Sequence, residues 1–130
     1  MRYLSPLRYP GGKARLAPFF TRLIRSQVPA PTHYAEPYAG GAGAALRLLT
    51  DSVVDHININ DINAGIAAFW RTITTPDGAE AFNHLINSTP VTIDQWHHQR
   101  AIYQDGQTDD LTLGFATFYL NRTNRSGILD

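Results

Sequence analysis

The chain has 130 residues, 43% of them hydrophobic and 17% charged, and its eleven basic and eleven acidic side chains give a formal net charge of zero. This length and apolar content suit one small globular domain. Neutrality excludes a uniformly basic nucleic-acid coat, and the absence of cysteine excludes disulfides, thiolate metal sites and a thiol nucleophile. No apolar run is long enough to span a membrane and no signal-peptide pattern opens the chain, so cytoplasm is the expected compartment.

Residues 1–12 read as irregular or extended, with Pro6, Pro10 and a Gly11-Gly12 turn. A helix is expected over 13–25, because Leu16, Phe19, Phe20, Leu23 and Ile24 form one apolar stripe. The proline-rich stretch from Val28 to Pro31 must end it. Lys13 stands at the helix start, where the dipole disfavours a cation, which hints at a bound anion. Gly11-Gly12-Lys13 is not a P-loop: Leu7 stands where the first glycine belongs, and Ala14 replaces the hydroxyl residue. Arg2, Arg8, Lys13, Arg15, Arg22 and Arg25 all precede Glu36, the first acid. Such a cluster suits phosphate contact or, for Arg22 and Arg25, an ordinary solvated helix face.

Residues 32–35 read as a short strand, and a helix is expected from Ala44 to Leu49. Between them lies the glycine- and alanine-rich run Tyr38-Ala39-Gly40-Gly41-Ala42-Gly43. Strand, glycine turn and helix together bring backbone N–H groups and a helix N-terminus close to a nucleotide-like ligand. Glycine suits close approach because a Cβ would block it and because the turn can demand positive φ. The spacing is not Gly-x-Gly-x-x-Gly, so the stretch alone fits a plain tight turn equally well. A second strand, over 52–59, ends in Asn60-Asp61. Asp61 follows the glycine turn by about 20 residues, the offset at which a carboxylate accepts from vicinal ribose hydroxyls. A polar strand end or helix cap is the plainer role for it.

The rest of the chain reads as helical. Asn63 can cap a helix over 64–73, Thr75-Pro76 opens another to about Asn87, and Thr92 with Gln95 makes a capping box for a third over 93–104. Residues 105–109 form a polar loop, and Leu111, Phe115, Phe118 and Tyr119 stripe a last helix ending near Asn121. The adjacent pair His97-His98 faces different directions on a helix and cannot chelate one ion in the i, i+4 manner. Trp70 and Trp96, with helical neighbours, read as core anchors.

Taken in order, Arg8-Tyr9-Pro10-Gly11-Gly12-Lys13, Glu36-Pro37-Tyr38-Ala39-Gly40-Gly41-Ala42-Gly43, Ile59-Asn60-Asp61-Ile62-Asn63 and Phe118 to Ile128 span the whole chain. In that order they resemble the DNA adenine-N6 methyltransferases of the DNA adenine methylase type, the D12 class. The resemblance covers about the first half of such an enzyme. It implies an incomplete doubly wound, Rossmann-like α/β fold with added helices, binding S-adenosylmethionine, and methyl transfer to adenine N6 in double-stranded DNA, as in restriction–modification. Residues 1–110 would be the N-terminal half of the catalytic domain, and 111–130 the start of the target-recognition region.

By match to the family, Tyr9 and Lys13 line the cofactor site, with Lys13 near the charged methionine end. Glu36, Tyr38 and Gly40 lie at the carboxyl end of the first strand, Asp61 holds the ribose and Ile62 packs on the adenine. The notable departures are Ala42, which displaces or replaces a glycine of the family's Phe-x-Gly-x-Gly, and Thr123-Asn124-Arg125, which replaces an aromatic after Leu-Asn-Arg. Arg122, Asn124 and Arg125 form the expected DNA-contacting set; two cations stabilising a helix C-terminus is the plainer role for the arginines. The family's catalytic Asp-Pro-Pro-Tyr is absent, so no catalytic residue is assigned in this chain, which is expected to be an N-terminal piece, either truncated or completed by a complementary C-terminal chain. No metal and no membrane are implied. The alternatives are a non-catalytic S-adenosylmethionine- or DNA-binding regulatory module and a different nucleotide-binding enzyme of the same fold class.

Overall fold

The structure is a computed structural model and describes residues 3–129. Arg2, one of the early basic residues, lies outside them. The chain forms two compact units, Met1–Asp61 and Ile62–Asp130. The architecture is mixed α/β, with a two-stranded parallel sheet among the described residues.

In the first unit a 3-10 turn, Lys13–Leu16, leads into α1, Ala17–Arg25. The expected helix over 13–25 is therefore divided. Pro18 explains the break: it has no N–H to donate and its ring clashes with a preceding carbonyl, so the α-helix starts afresh beside it. Strand β1, His33–Glu36, is followed by the glycine turn and by α2, Gly43–Thr50. Strand β2, His56–Ile59, pairs in parallel with β1, His33 opposite His56 and Glu36 opposite Ile59. It is shorter than the expected 52–59 because Ser52 takes a positive φ of 53° and the Val53 N–H bonds back to the Leu48 carbonyl. The core of this unit is small and built largely of alanines, with Leu48 and Val54 among them. Most of the α1 stripe stays open: Leu16, Phe19 and Leu23 are each about half exposed.

The second unit is helical: α3, Ala64–Ile73; α4, Pro76–Ser88; α5, Ile93–Asp105; and α6, Asp110–Thr123. The caps fall where the side chains dictate. Asn63 accepts from the Ile66 N–H, Thr75 from Gly78, Thr92 from Gln95 and Asp109 from Thr112. Asp109 was not foreseen as a cap, although its position before the apolar stripe allows it. The α3–α6 contact forms the core. Phe69 stacks on Phe118 and meets Trp70 and Phe82 edge-on. Gly114 permits the approach, since a Cβ there would lie 2.8 Å from the Phe69 backbone. Trp70 is a core anchor as expected, at 7% exposure. Trp96 is not: it is half-buried at the edge of α5, because its indole N–H is drawn to the Asn124 side chain. No helix of the described residues is long and apolar enough to cross a membrane.

Candidate cofactor site and nucleic-acid interface

Three of the sequence blocks meet within the first unit. The Tyr9 ring lies against the Gly40 backbone so closely that a Cβ on Gly40 would sit 2.7 Å from it. Gly40 also has φ +50°, so glycine is favoured there on both counts. The Gly40 N–H donates to Asp61 Oδ2 at 2.8 Å, which ties the turn to the end of β2. The Ala39 N–H adds a second tie, to the Asn60 carbonyl at 2.8 Å. Gly43 packs on Ala14, so the Lys13–Leu16 segment covers the start of α2.

Glu36 ends β1 and is 3% exposed. Lys13 Nζ stands 3.0 Å from its Oε1 and also donates to the Tyr38 carbonyl. The cation expected to mark an anion thus holds an acid of its own chain and fastens residues 9–16 over the turn. Neither Glu36 oxygen has a hydrogen-bond partner of full geometry, and Oε2 lacks an ion pair as well among the described residues. A buried carboxylate in that state carries a desolvation cost that further donors would offset. Burial first, and then the Glu36 carboxylate, push the Tyr34 phenol up to about 12.

The helix that follows carries no side-chain cap. Its N-cap, Ala42, lies in the left-handed region at φ 49°. Alanine offers no oxygen to the first N–H groups of α2, in contrast to every α-helix of the second unit. Around these polar groups Tyr9 and Tyr38 are 45% and 69% exposed. Ile62, directly after Asp61, is 88% exposed and begins the second unit. Tyr9, Lys13, Glu36, Tyr38, Gly40 and Asp61 are therefore gathered around one turn. The arrangement fits a ligand with a cationic amine, vicinal hydroxyls and a flat apolar part: buried and partly buried carboxylates for the first two, exposed rings for the third. Among the described residues no group of three or more His, Cys, Asp or Glu could hold a metal ion.

The remaining expected residues lie in the second unit. Arg122 is in the last turn of α6, and Arg125 begins the 3-10 turn Arg125–Gly127. Both are exposed, and neither makes an ion pair among the described residues. Asn124 is different: its Oδ1 accepts from Trp96 Nε1 at 2.6 Å and its Nδ2 donates to the Ile128 carbonyl at 2.7 Å. Composition and periodicity missed Trp96 as part of this region; its one-turn spacing from the Thr92 cap was the available signal.

A family model, the D12 class N6 adenine-specific DNA methyltransferases, matches residues 9–128. No curated protein matches the chain.

Proposed function

Since the chain belongs to the D12 class N6 adenine-specific DNA methyltransferase family, we propose that it forms the cofactor-binding and DNA-contacting part of an enzyme methylating adenine N6. In this reading S-adenosylmethionine is the donor, its sulfonium supplying an electrophilic methyl group to the adenine amine. Glu36 receives the methionine ammonium, Asp61 the ribose hydroxyls, and Tyr9 and Tyr38 the apolar faces. Lys13 neutralises part of Glu36 and keeps the N-terminal segment over the turn; Gly40 lets the backbone come close and orients Asp61 through its N–H. The observation that carries the reading is the Glu36 carboxylate, buried at the end of β1 with an ion pair to Lys13 at Oε1 and none at Oε2 among the described residues.

The finer fold reading is a doubly wound methyltransferase sheet of which β1 and β2 are a part. Two strands paired only with each other among the described residues leave outer edges for further strands. Residues 1–110 would serve the cofactor and 111–130 the target. Arg122 and Arg125 would meet phosphate or guanine edges, with Asn124 supporting them. The extruded adenine needs acceptors for its amine and a ring to stack on. We take these from an Asp-Pro-Pro-Tyr segment outside these residues, and expect no methylation by the 130 residues alone.

Isothermal titration of the 130-residue chain with S-adenosylmethionine tests the proposal. Asp61→Asn keeps an oxygen for the Gly40 N–H and removes the charge. It should weaken binding about tenfold or more, since a hydrogen bond to a charged group is worth about 1.5–3 kcal/mol. Unchanged affinity would remove Asp61 from the site. Methyl transfer from labelled S-adenosylmethionine to DNA by the same preparation would overturn the need for that segment.

A further inference from the structure

The polar turn after α6 is held by more than its own backbone. Ser126 and Gly127 take consecutive positive φ values of 58° and 74°. A left-handed non-glycine residue is disfavoured by about 1–2 kcal/mol and persists where its surroundings over-determine it. Asn121, fully buried, donates from Nδ2 to the Gly127 carbonyl at 3.1 Å. Asn124 clasps the Ile128 carbonyl in the same way at 2.7 Å. The orientation of the Asn124 amide has one solution. An indole N–H is a donor only and a carbonyl an acceptor only, so Oδ1 must face Trp96 and Nδ2 must face Ile128.

Trp96 is itself fixed. It lies one turn into α5, whose approach is anchored by the Tyr119 hydroxyl donating to the Pro90 carbonyl at 3.1 Å. Arg100, one turn further along, places its guanidinium 5.5 Å from the Trp96 ring centre. One indole therefore binds a cation on its face and the recognition turn on its edge.

We propose that Trp96 is a positioning residue for DNA contact: through its Nε1–H it locks Asn124, and through Asn124 the turn that presents Arg122 and Arg125. The inference rests on the reading that this turn touches DNA. A turn already held in shape loses less freedom on binding than one that must be ordered by the duplex. Asn124 acts here as the link between helix α5 and the turn, with its amide committed to protein partners.

The test uses the 130-residue chain, a labelled adenine-containing duplex and a salt series. Trp96→Phe keeps a ring for Arg100 and removes the indole N–H; Asn124→Ala breaks the same link from the other side. Each should lower duplex affinity about fivefold, the scale of one lost hydrogen bond, with S-adenosylmethionine affinity and helical circular dichroism unchanged. The double variant should bind no more weakly than the worse single one, because both changes cut one link. The Trp96 indole N–H resonance should move on DNA addition, while that of buried Trp70 stays. Additive losses, or full affinity in Trp96→Phe with a stationary indole resonance, would overturn the positioning role. Replacing Arg122 and Arg125 with Ala distinguishes the levels. Undiminished binding in that variant, or no duplex binding by the parent chain, would remove the DNA reading and this inference with it.

Discussion

The two units close their helices in opposite ways. In Ile62–Asp130 each α-helix begins with a side-chain cap, and its apolar faces meet in an aromatic cluster around Phe69. In Met1–Asp61 neither α-helix has a side-chain cap; Leu16 and Ala42 stand at the two N-cap positions. There the core is small and Glu36 is buried without full satisfaction. The first N–H groups of α2 therefore meet no side-chain acceptor, whereas those of each α-helix in the second unit do.

The largest expected effect separates the two cores. Phe69→Ala removes a ring that is 1% exposed and should cost about 3–5 kcal/mol in urea unfolding. Phe19→Ala, at 53% exposure on α1, should cost less than about 1 kcal/mol. Equal losses would break the comparison, because they would mean that the α1 stripe is as well packed as the second core.

A smaller effect comes from Tyr34, whose phenol is raised from 10.0 to about 12 by burial and then by the Glu36 carboxylate. The folded state binds this proton more tightly than the unfolded one. Its contribution is thus complete below pH 10 and is lost as pH rises from 10 toward 12. With the partial exposure of the ring discounted, the loss is about 1–2 kcal/mol. Tyr34→Phe should flatten the alkaline limb of stability by that amount. An identical limb in both proteins would deny that Glu36 and burial act on the phenol.

The smallest effect sharpens the contrast in caps. Thr92→Ala removes the oxygen that accepts from the Gln95 N–H and should cost about 1 kcal/mol. Ala42→Gly, at φ 49°, should stabilise by about 0.5 kcal/mol, relief of the left-handed strain exceeding the added chain entropy. Thermal midpoints moving in opposite directions would express the difference. Destabilisation in both would mean that the Ala42 methyl, fully buried, matters more than its backbone.

Much was legible before any coordinates. Helix α3 occupies the expected 64–73, and the Asn63, Thr75 and Thr92 caps stand as expected, because periodicity and capping are local properties. The glycine turn and the family were equally readable, since a close backbone approach leaves its mark in residue types. Other features depended on partners distant in the sequence. Lys13 looked like a residue awaiting an anion until β1 brought it Glu36, and Trp96 looked like core until α6 ended beside it with Asn124. The same holds for the open stripe of α1 and the burial of Glu36. Local sequence determines which conformations and caps a segment prefers. Only the tertiary structure decides which charges and donors find each other, because burial and pairing are set jointly by residues that the chain alone does not bring together.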